Sequence, residues 1–237
     1  MKLDRDVQIT WLGHSTFQVV TPKGKTILLD PWVAGNPACP EARKKIGKLD
    51  AILVSHGHFD HIADCVSLAK DHGAAVVANY ETCHWLERKG VVSAQAMNKG
   101  GTQEVSGLRV TMVHADHSCG ILDGDTIVYG GEAGGYVIEF ENGFKAYYAG
   151  DTNVFGDMRI IGELYRPEVA FLPIGDRFTM GPREAAYAVR LLGVRKVIPM
   201  HWGTFPPLTG TPAALREQLR DVPGIEVAEM KPGETIG

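Results

Sequence analysis

Short apolar runs, punctuated by glycine, proline and aspartate, set the hydrophobic pattern of this chain. Alternating or β-branched stretches fall at Val7–Leu12, Phe17–Val20, Thr26–Leu29, Ala51–Ser55, Ala74–Ala78 and Leu108–His114. Others lie at Thr126–Tyr129, Tyr136–Phe140, Phe144–Ala149, Val169–Pro173 and Lys196–Met200. Their length and their bounding residues predict strands. Helices are predicted over Ile62–Asp71, Glu81–Lys89, Pro182–Leu192 and Pro212–Leu219. The third has well-marked ends. Pro182 suits a first helical turn, Glu184 sets a carboxylate near the positive end of the dipole, and Gly193 stops the apolar Leu191-Leu192.

Many strands with few helices between them point to two sheets packed face to face, with helices outside. No Ser/Pro-rich linker divides the chain, so one domain over residues 1–237 is expected. In the first half strands end at Asp30 and His56, and in the second at Asp151 and His201, a weak internal echo. Side chains at the same ends of neighbouring strands converge on one rim, where sites built on sheets usually lie.

Composition narrows the class. A chain of 237 residues can bury a substantial core, and 44% hydrophobic with 22% charged residues argues against long disorder. A net charge of −4 lacks the broad basic surface of a nucleic-acid binder. No apolar run approaches the roughly 20 residues that span a bilayer, and the opening Met1–Asp6 has no apolar signal segment. Cys39, Cys65, Cys83 and Cys119 fall in no paired spacing, which fits reduced thiols. The expectation is a cytoplasmic protein with a small-molecule substrate and neither a nucleic-acid nor a membrane partner. Homo-oligomerisation is left open.

The chemistry concentrates in Ser55-His56-Gly57-His58-Phe59-Asp60-His61, directly after the apolar Ala51–Val54. Imidazole and carboxylate together suit borderline divalent metals, and four such groups in six positions can serve two ions. The bland alternative is a polar loop without metal. Downstream stand His114-Ala115-Asp116-His117-Ser118, Gly150-Asp151-Thr152 and Met200-His201-Trp202-Gly203-Thr204-Phe205-Pro206. The Gly130–Gly135 run lacks the GK[ST] of a phosphate loop and reads as a tight connection, with Glu132 a candidate near the site. Gly175–Gly181 and Trp202–Pro207 are candidate walls of a pocket, plain turns being the alternative.

The HxHxDH cluster, followed in order by a single His, a single Asp and a final His, resembles the metallo-β-lactamase superfamily. Trp11–Thr16 and Leu28–Trp32 look like its branch of UPF0173-type metal-dependent hydrolases. Ascorbate-phosphate lactonases and phospholipase-D-type N-acylethanolamine enzymes are more distant relatives. The resemblance implies an α/β, four-layer αββα sandwich, internally duplicated, and a hydrolase with two divalent metals.

Carried over by position, the resemblance gives His56, His58 and His117 to the first metal. Asp60, His61 and His201 go to the second, with Asp151 bridging. It also implies a metal-bridging hydroxide as the nucleophile, on an ester, lactone or phosphodiester-type substrate, an amide being left open as well, with Asp60 and Asp151 as the catalytic carboxylates. Zinc is the first choice of metal, with manganese, iron or nickel as alternatives. The choice of His117 over His114 follows the family pattern, and Cys119 lies beyond the ligand position. Asp30 and His14 are candidates to hold the ligands or to meet substrate, as is Thr204, and a plain structural role is the alternative. A non-hydrolytic diiron redox protein or a metal sensor on the same fold is the competing class. The redox relatives carry Glu where His58 stands here, and they need a flavodoxin-like module.

Overall fold

Alternation along single strands explains how the layers stack. In the strand Thr26–Leu29, Ile27 and Leu29 point into one core while Leu28 points into another. A strand buried on both faces, with successive side chains on opposite sides, sits between two layers. The computed structural model describes residues 1–3 and 5–237.

The chain runs β1 (Gln8–Trp11), β2 (Phe17–Val20), β3 (Thr26–Leu29), a 3-10 turn at Glu41–Arg43 and β4 (Ala51–Leu53). Next come α1 (Phe59–Ile62), α2 (Cys65–His72), β5 (Ala75–Asn79), α3 (Tyr80–Arg88), β6 (Ala94–Met97), β7 (Thr102–Val105) and β8 (Leu108–His114). A hairpin, β9 (Gly120–Asp123) and β10 (Thr126–Tyr129), precedes β11 (Gly134–Glu139), β12 (Lys145–Tyr148), α4 (Met158–Tyr165) and β13 (Val169–Pro173). The remainder is α5 (Pro182–Leu192), β14 (Lys196–Met200), α6 (Pro212–Gln218), β15 (Glu226–Val227) and β16 (Thr235–Ile236).

Two seven-stranded sheets result, ordered β16-β1-β2-β3-β4-β5-β6 and β7-β8-β11-β12-β13-β14-β15. In each, the first three pairings are antiparallel and the last three parallel. The halves therefore repeat one topology, with β3 matching β12. The echo seen in the sequence is real for Asp30 and Asp151, which follow these matched strands. It fails for the histidines, since His56 follows β4 and His201 follows β14, the counterpart of β5.

Ile9, Phe17, Leu29 and Leu53 of the first sheet face Met112, Tyr136, Ile138 and Phe171 of the second. Burying each such side chain is worth about 1.5–3 kcal/mol. Outside the first sheet, Leu28, Ile52 and Val76 meet Cys65 and Ala69 of α2 and Cys83 and Leu86 of α3. Helices α4–α6 cover the second sheet through Ile161, Ala188, Leu192 and Leu215. This is the αββα sandwich.

Three local expectations change. The helix predicted over Ile62–Asp71 starts only at Cys65 as α2, Ile62 ending the separate α1, because Asp64 N–H leaves the helical ladder for Pro31 O at 2.9 Å while its carboxylate accepts Val33 N–H and Ala34 N–H at 2.5 and 2.9 Å. Helix α4 was not predicted, although Met158 and Ile161 fall one turn apart on its buried face; Gly162 within it made a helix look less favourable. That glycine is needed because a Cβ there would lie 2.3 Å from Leu192 O of the neighbouring α5. Strands β6, β7, β9, β15 and β16 are short edge or hairpin pieces that lack β-branched runs, with only partial burial.

Candidate metal centre

Asp30, His56, Asp151 and His201 all sit just beyond the C-terminal ends of strands, β3, β4, β12 and β14 in turn. Because the parallel strands of both sheets end at one rim, these residues meet across the seam between sheets. His58 precedes the short α1 as its N-cap, Asp60 and His61 lie on it, and His117 arrives through the turn after β8.

Asp151 is the hub. Its Oδ2 lies 3.0 Å from His201 Nε2, 3.2 Å from His61 Nε2 and 3.8 Å from His117 Nε2. Asp60 Oδ2 lies 3.8 Å from His201 Nε2 and 3.9 Å from His61 Nε2. On the other side His56 Nε2 faces His58 Nδ1 at 2.9 Å, and the His117 ring centroid is 5.1 Å from each of theirs. Candidate ligand atoms of His56, His58 and His117 thus form one group, and those of Asp60, His61 and His201, together with His14, form another.

The donor set suits cations better than it suits itself. His61 Nε2 and Asp151 Oδ1 are buried without a hydrogen-bond partner. Buried polar atoms left unpaired cost about 1–3 kcal/mol each, so such a cluster calls for another occupant. Nitrogens and oxygens converging without aligned hydrogen bonds are what metal ligands require, and the residues present fit that group.

Hydrogen bonds behind the candidate ligands fix the imidazoles. Asp30, fully buried, accepts from Ser55 N and Ser55 Oγ at 2.6 Å each, from Tyr148 Oη at 2.7 Å and from His61 Nδ1 at 2.7 Å. His61 therefore turns a lone pair on Nε2 toward the centre when neutral. Ser55 Oγ, having donated to Asp30, accepts from His56 Nδ1 at 3.0 Å, and His56 Nε2 is freed in the same way. His14 Nε2 donates to Asp60 Oδ2 at 2.9 Å, and its Nδ1 accepts from Thr204 Oγ1 at 3.0 Å.

Charge follows from this packing. Burial lowers His14 to about 4. Burial also lowers His58 and His117, helped by neighbouring imidazoles, and takes His56 well below the usual range. For Asp60 burial opposes ionisation, but His61 and the His14 hydrogen bond hold it at about 2. Asp151 behaves alike, with His201 and His61 outweighing burial and keeping it well below the carboxylate range. His61 goes the other way: despite burial, Asp151, Asp60 and Asp30 hold it well above the usual imidazole range.

The structure thus brings together His56, His58, Asp60, His61, His117, Asp151 and His201, with Asp30, His14 and Thr204 behind them. It separates His114, whose ring packs edge-on to Phe155 at 4.7 Å beside Lys99. Cys119 Sγ is occupied with Gly57 N–H and Gly130 O. Glu132 stands apart from this cluster, its exposed carboxylate paired with Lys99 and absent from the lining of the cavity. Sequence reasoning missed Ser55, Tyr148 and Ser118, whose Oγ lies 3.3 Å from His58 Nε2. Ser55 and Ser118 flank the motifs and could have been flagged, whereas nothing in the sequence marks Tyr148.

Above the centre opens a cavity of about 910 Å³. Phe178 of the Gly175–Gly181 loop and Phe205, Pro206 and Pro207 wall it, as does the β9–β10 hairpin. Trp202 instead stacks on Trp11 at 5.3 Å. Among the described residues no helix is long and apolar enough to cross a membrane.

The Beta-lactamase superfamily domain profile matches residues 25–202. A UPF0173 metal-dependent hydrolase of Koribacter versatilis is 60% identical over 229 residues, 97% of either chain. One from Solibacter usitatus is 56% identical over 230 residues, covering 97% of this chain and 99% of the other. The solved structure of Igni18, a metallo hydrolase of Ignicoccus hospitalis, superposes with a TM-score of 0.85 at 34% identity over 97% of each chain.

Proposed function

Because this chain belongs to the UPF0173 metal-dependent hydrolases of the beta-lactamase superfamily, we propose that it acts with two metals, on an ester, lactone or phosphodiester bond. The observation that carries the two-metal reading is Asp151, whose Oδ2 stands among nitrogens of both histidine groups. His56, His58 and His117 would hold one cation and Asp60, His61 and His201 the other, with Asp151 shared. Two like charges held close repel, and a shared carboxylate offsets that repulsion. The histidine-rich donor set favours zinc, while Asp60 and Asp151 also accommodate manganese, iron or nickel.

Such cations, when bound, acidify water toward neutral pH and draw charge from the oxygen of a carbonyl or phosphoryl group. Protein groups do the remainder. Asp60 is held as a carboxylate by His14, so it can accept a hydrogen bond from the attacking water and fix its direction. Thr204 sets the tautomer of His14 by donating to Nδ1, leaving Nε2–H for Asp60. Asp30 holds His61 directly and His56 through Ser55, which limits movement of the ligands during turnover.

The test is a panel of ester, lactone and phosphodiester substrates with the metal-loaded protein. At least one class should be hydrolysed, activity should vanish with chelator and return with zinc or manganese, and Asp151→Ala should abolish it. Hydrolysis that survives chelation or Asp151→Ala would sink the proposal.

A further inference from the structure

We propose, resting on the hydrolase reading above, that the substrate is a neutral ester or lactone carrying an apolar body of several carbons. That body would lie between the β9–β10 hairpin and the loops of Phe178 and Phe205. The cavity has two unlike halves. Its floor is the imidazole and carboxylate cluster, and its upper walls are Phe59, Leu122, Ile127, Phe178, Phe205 and Pro206. Among the described residues lining it there is no lysine or arginine.

Charge separates the candidate substrates. A phosphate or nucleotide brings anionic oxygens beyond the one that reacts. Here those oxygens would press against phenylalanine and proline with no lysine or arginine among the described lining residues to meet them, and burying them unpaired is costly. The Arg177 guanidinium lies over the Phe178 ring, 5.6 Å from its centroid, outside that lining. A neutral carbonyl places its single reactive oxygen at the floor and needs no counter-ion above it. Volume agrees, since about 910 Å³ lies near the upper end for sites that enclose a drug-sized molecule.

The apolar rim is held in place. Leu122 and Ile127 are cross-strand partners and share one hairpin face, 56% and 76% exposed. Behind them Ile121 is buried against Gly57 of the histidine loop, where an added Cβ would lie 2.3 Å from Ile121 Cγ1. Asp123 pins the end of β9 to α3 by accepting from Trp85 Nε1 at 2.9 Å and Lys89 Nζ at 2.7 Å. Phe178 and Phe59, 57% and 52% exposed, complete the rim. Exposed apolar side chains gathered over a catalytic floor, rather than scattered, mark a binding surface. Hydrolysis there is balanced: the water oxygen bonds to the carbonyl carbon, the acyl–oxygen bond breaks, and the alcohol oxygen leaves with a proton from that water.

The test is a series of p-nitrophenyl esters from acetate to decanoate beside bis-p-nitrophenyl phosphate, on the metal-loaded protein. Specificity (kcat/KM) should climb about threefold per added methylene, at least to hexanoate, and exceed that for the diester. In the Leu122→Ser/Ile127→Ser variant the series should go flat. A flat or falling wild-type series, or faster cleavage of the diester, overturns the substrate class and leaves the hydrolase reading standing. A metal-loaded protein that cleaves neither these esters, nor lactones, nor the diester overturns both. Binding gives a readout without turnover. Nile red should bind metal-stripped protein, be displaced by 2-decanone better than by decyl phosphate, and bind the double variant at least tenfold more weakly. No dye binding, or preferential displacement by decyl phosphate, overturns the proposal. So does sedimentation showing a dimer that the double variant splits, with a flat ester series, since Leu122 and Ile127 would then seat a second copy.

Discussion

The Asp30 carboxylate accepts the Nδ1 proton of His61 at 2.7 Å, with both side chains fully withdrawn from solvent. Three further hydrogen bonds, from Ser55 N, Ser55 Oγ and Tyr148 Oη, converge on the same carboxylate. Asp30 also adopts a left-handed backbone, φ 45°, a conformation uncommon outside glycine but more accessible to aspartate than to most residues. Asp30 thereby orients one imidazole from each candidate ligand group, His61 directly and His56 through Ser55.

Asp30→Asn should weaken metal binding by about 10–100-fold, because its one amide oxygen cannot accept both from Ser55 N–H on one side and from His61 Nδ1 on the other, which unsettles the His61 tautomer. Competition against a chromophoric chelator measures this. Unchanged affinity would mean that His61 is oriented by something else.

His14→Ala should lower turnover by roughly 10–100-fold while metal content at saturation stays near two equivalents. Without His14 the Asp60 carboxylate keeps its charge but loses the donor that fixes Oδ2. His14→Gln, which can still donate, should recover part of the rate. Equal loss in both variants would assign His14 to folding alone.

The histidine cluster was legible because HxHxDH packs its donors into one stretch after a buried strand. His117, Asp151 and His201 were reached through the order of single residues that the family pattern supplies. Spacing alone could not choose between His114 and His117, and only the turn after β8 separates them. Edge strands escaped because β6, β7, β15 and β16 gain stability from their neighbours rather than from their own residues. Helix α4 was missed although its Met158 and Ile161 are spaced one helical turn apart; what no local pattern reveals is why Gly162 stands in it, the close approach to Leu192 of α5. Glu132 looked like a site residue in a glycine-rich run, and Lys99, which claims it, lies in a distant segment.

Metal binding should release protons at neutral pH. His61 is held well above the usual imidazole range, so it carries a proton at pH 7 in metal-stripped protein, whereas His56, His58 and His117 are neutral. Below the raised value of His61 the proton competes with metal, and above it the competition ends, so affinity should rise with pH up to that value. Calorimetry at pH 7 in buffers of different ionisation enthalpy should give heats that differ by about one proton from this group. Heats independent of buffer would contradict it.

Gly57→Ala should destabilise the fold by about 1–3 kcal/mol, because the new methyl meets Ile121 and overpacks the seam between the histidine loop and the hairpin. The melting temperature should fall by roughly 2–10 °C, and Ile121→Ala in that background should recover part of the loss. No change in melting would show that the hairpin shifts freely.

Anomalous diffraction from crystals of the protein grown with zinc tests the central claim most directly. The account predicts two metal peaks flanking Asp151, one against His56, His58 and His117 and the other against Asp60, His61 and His201. A single peak, or none among these residues, would contradict it.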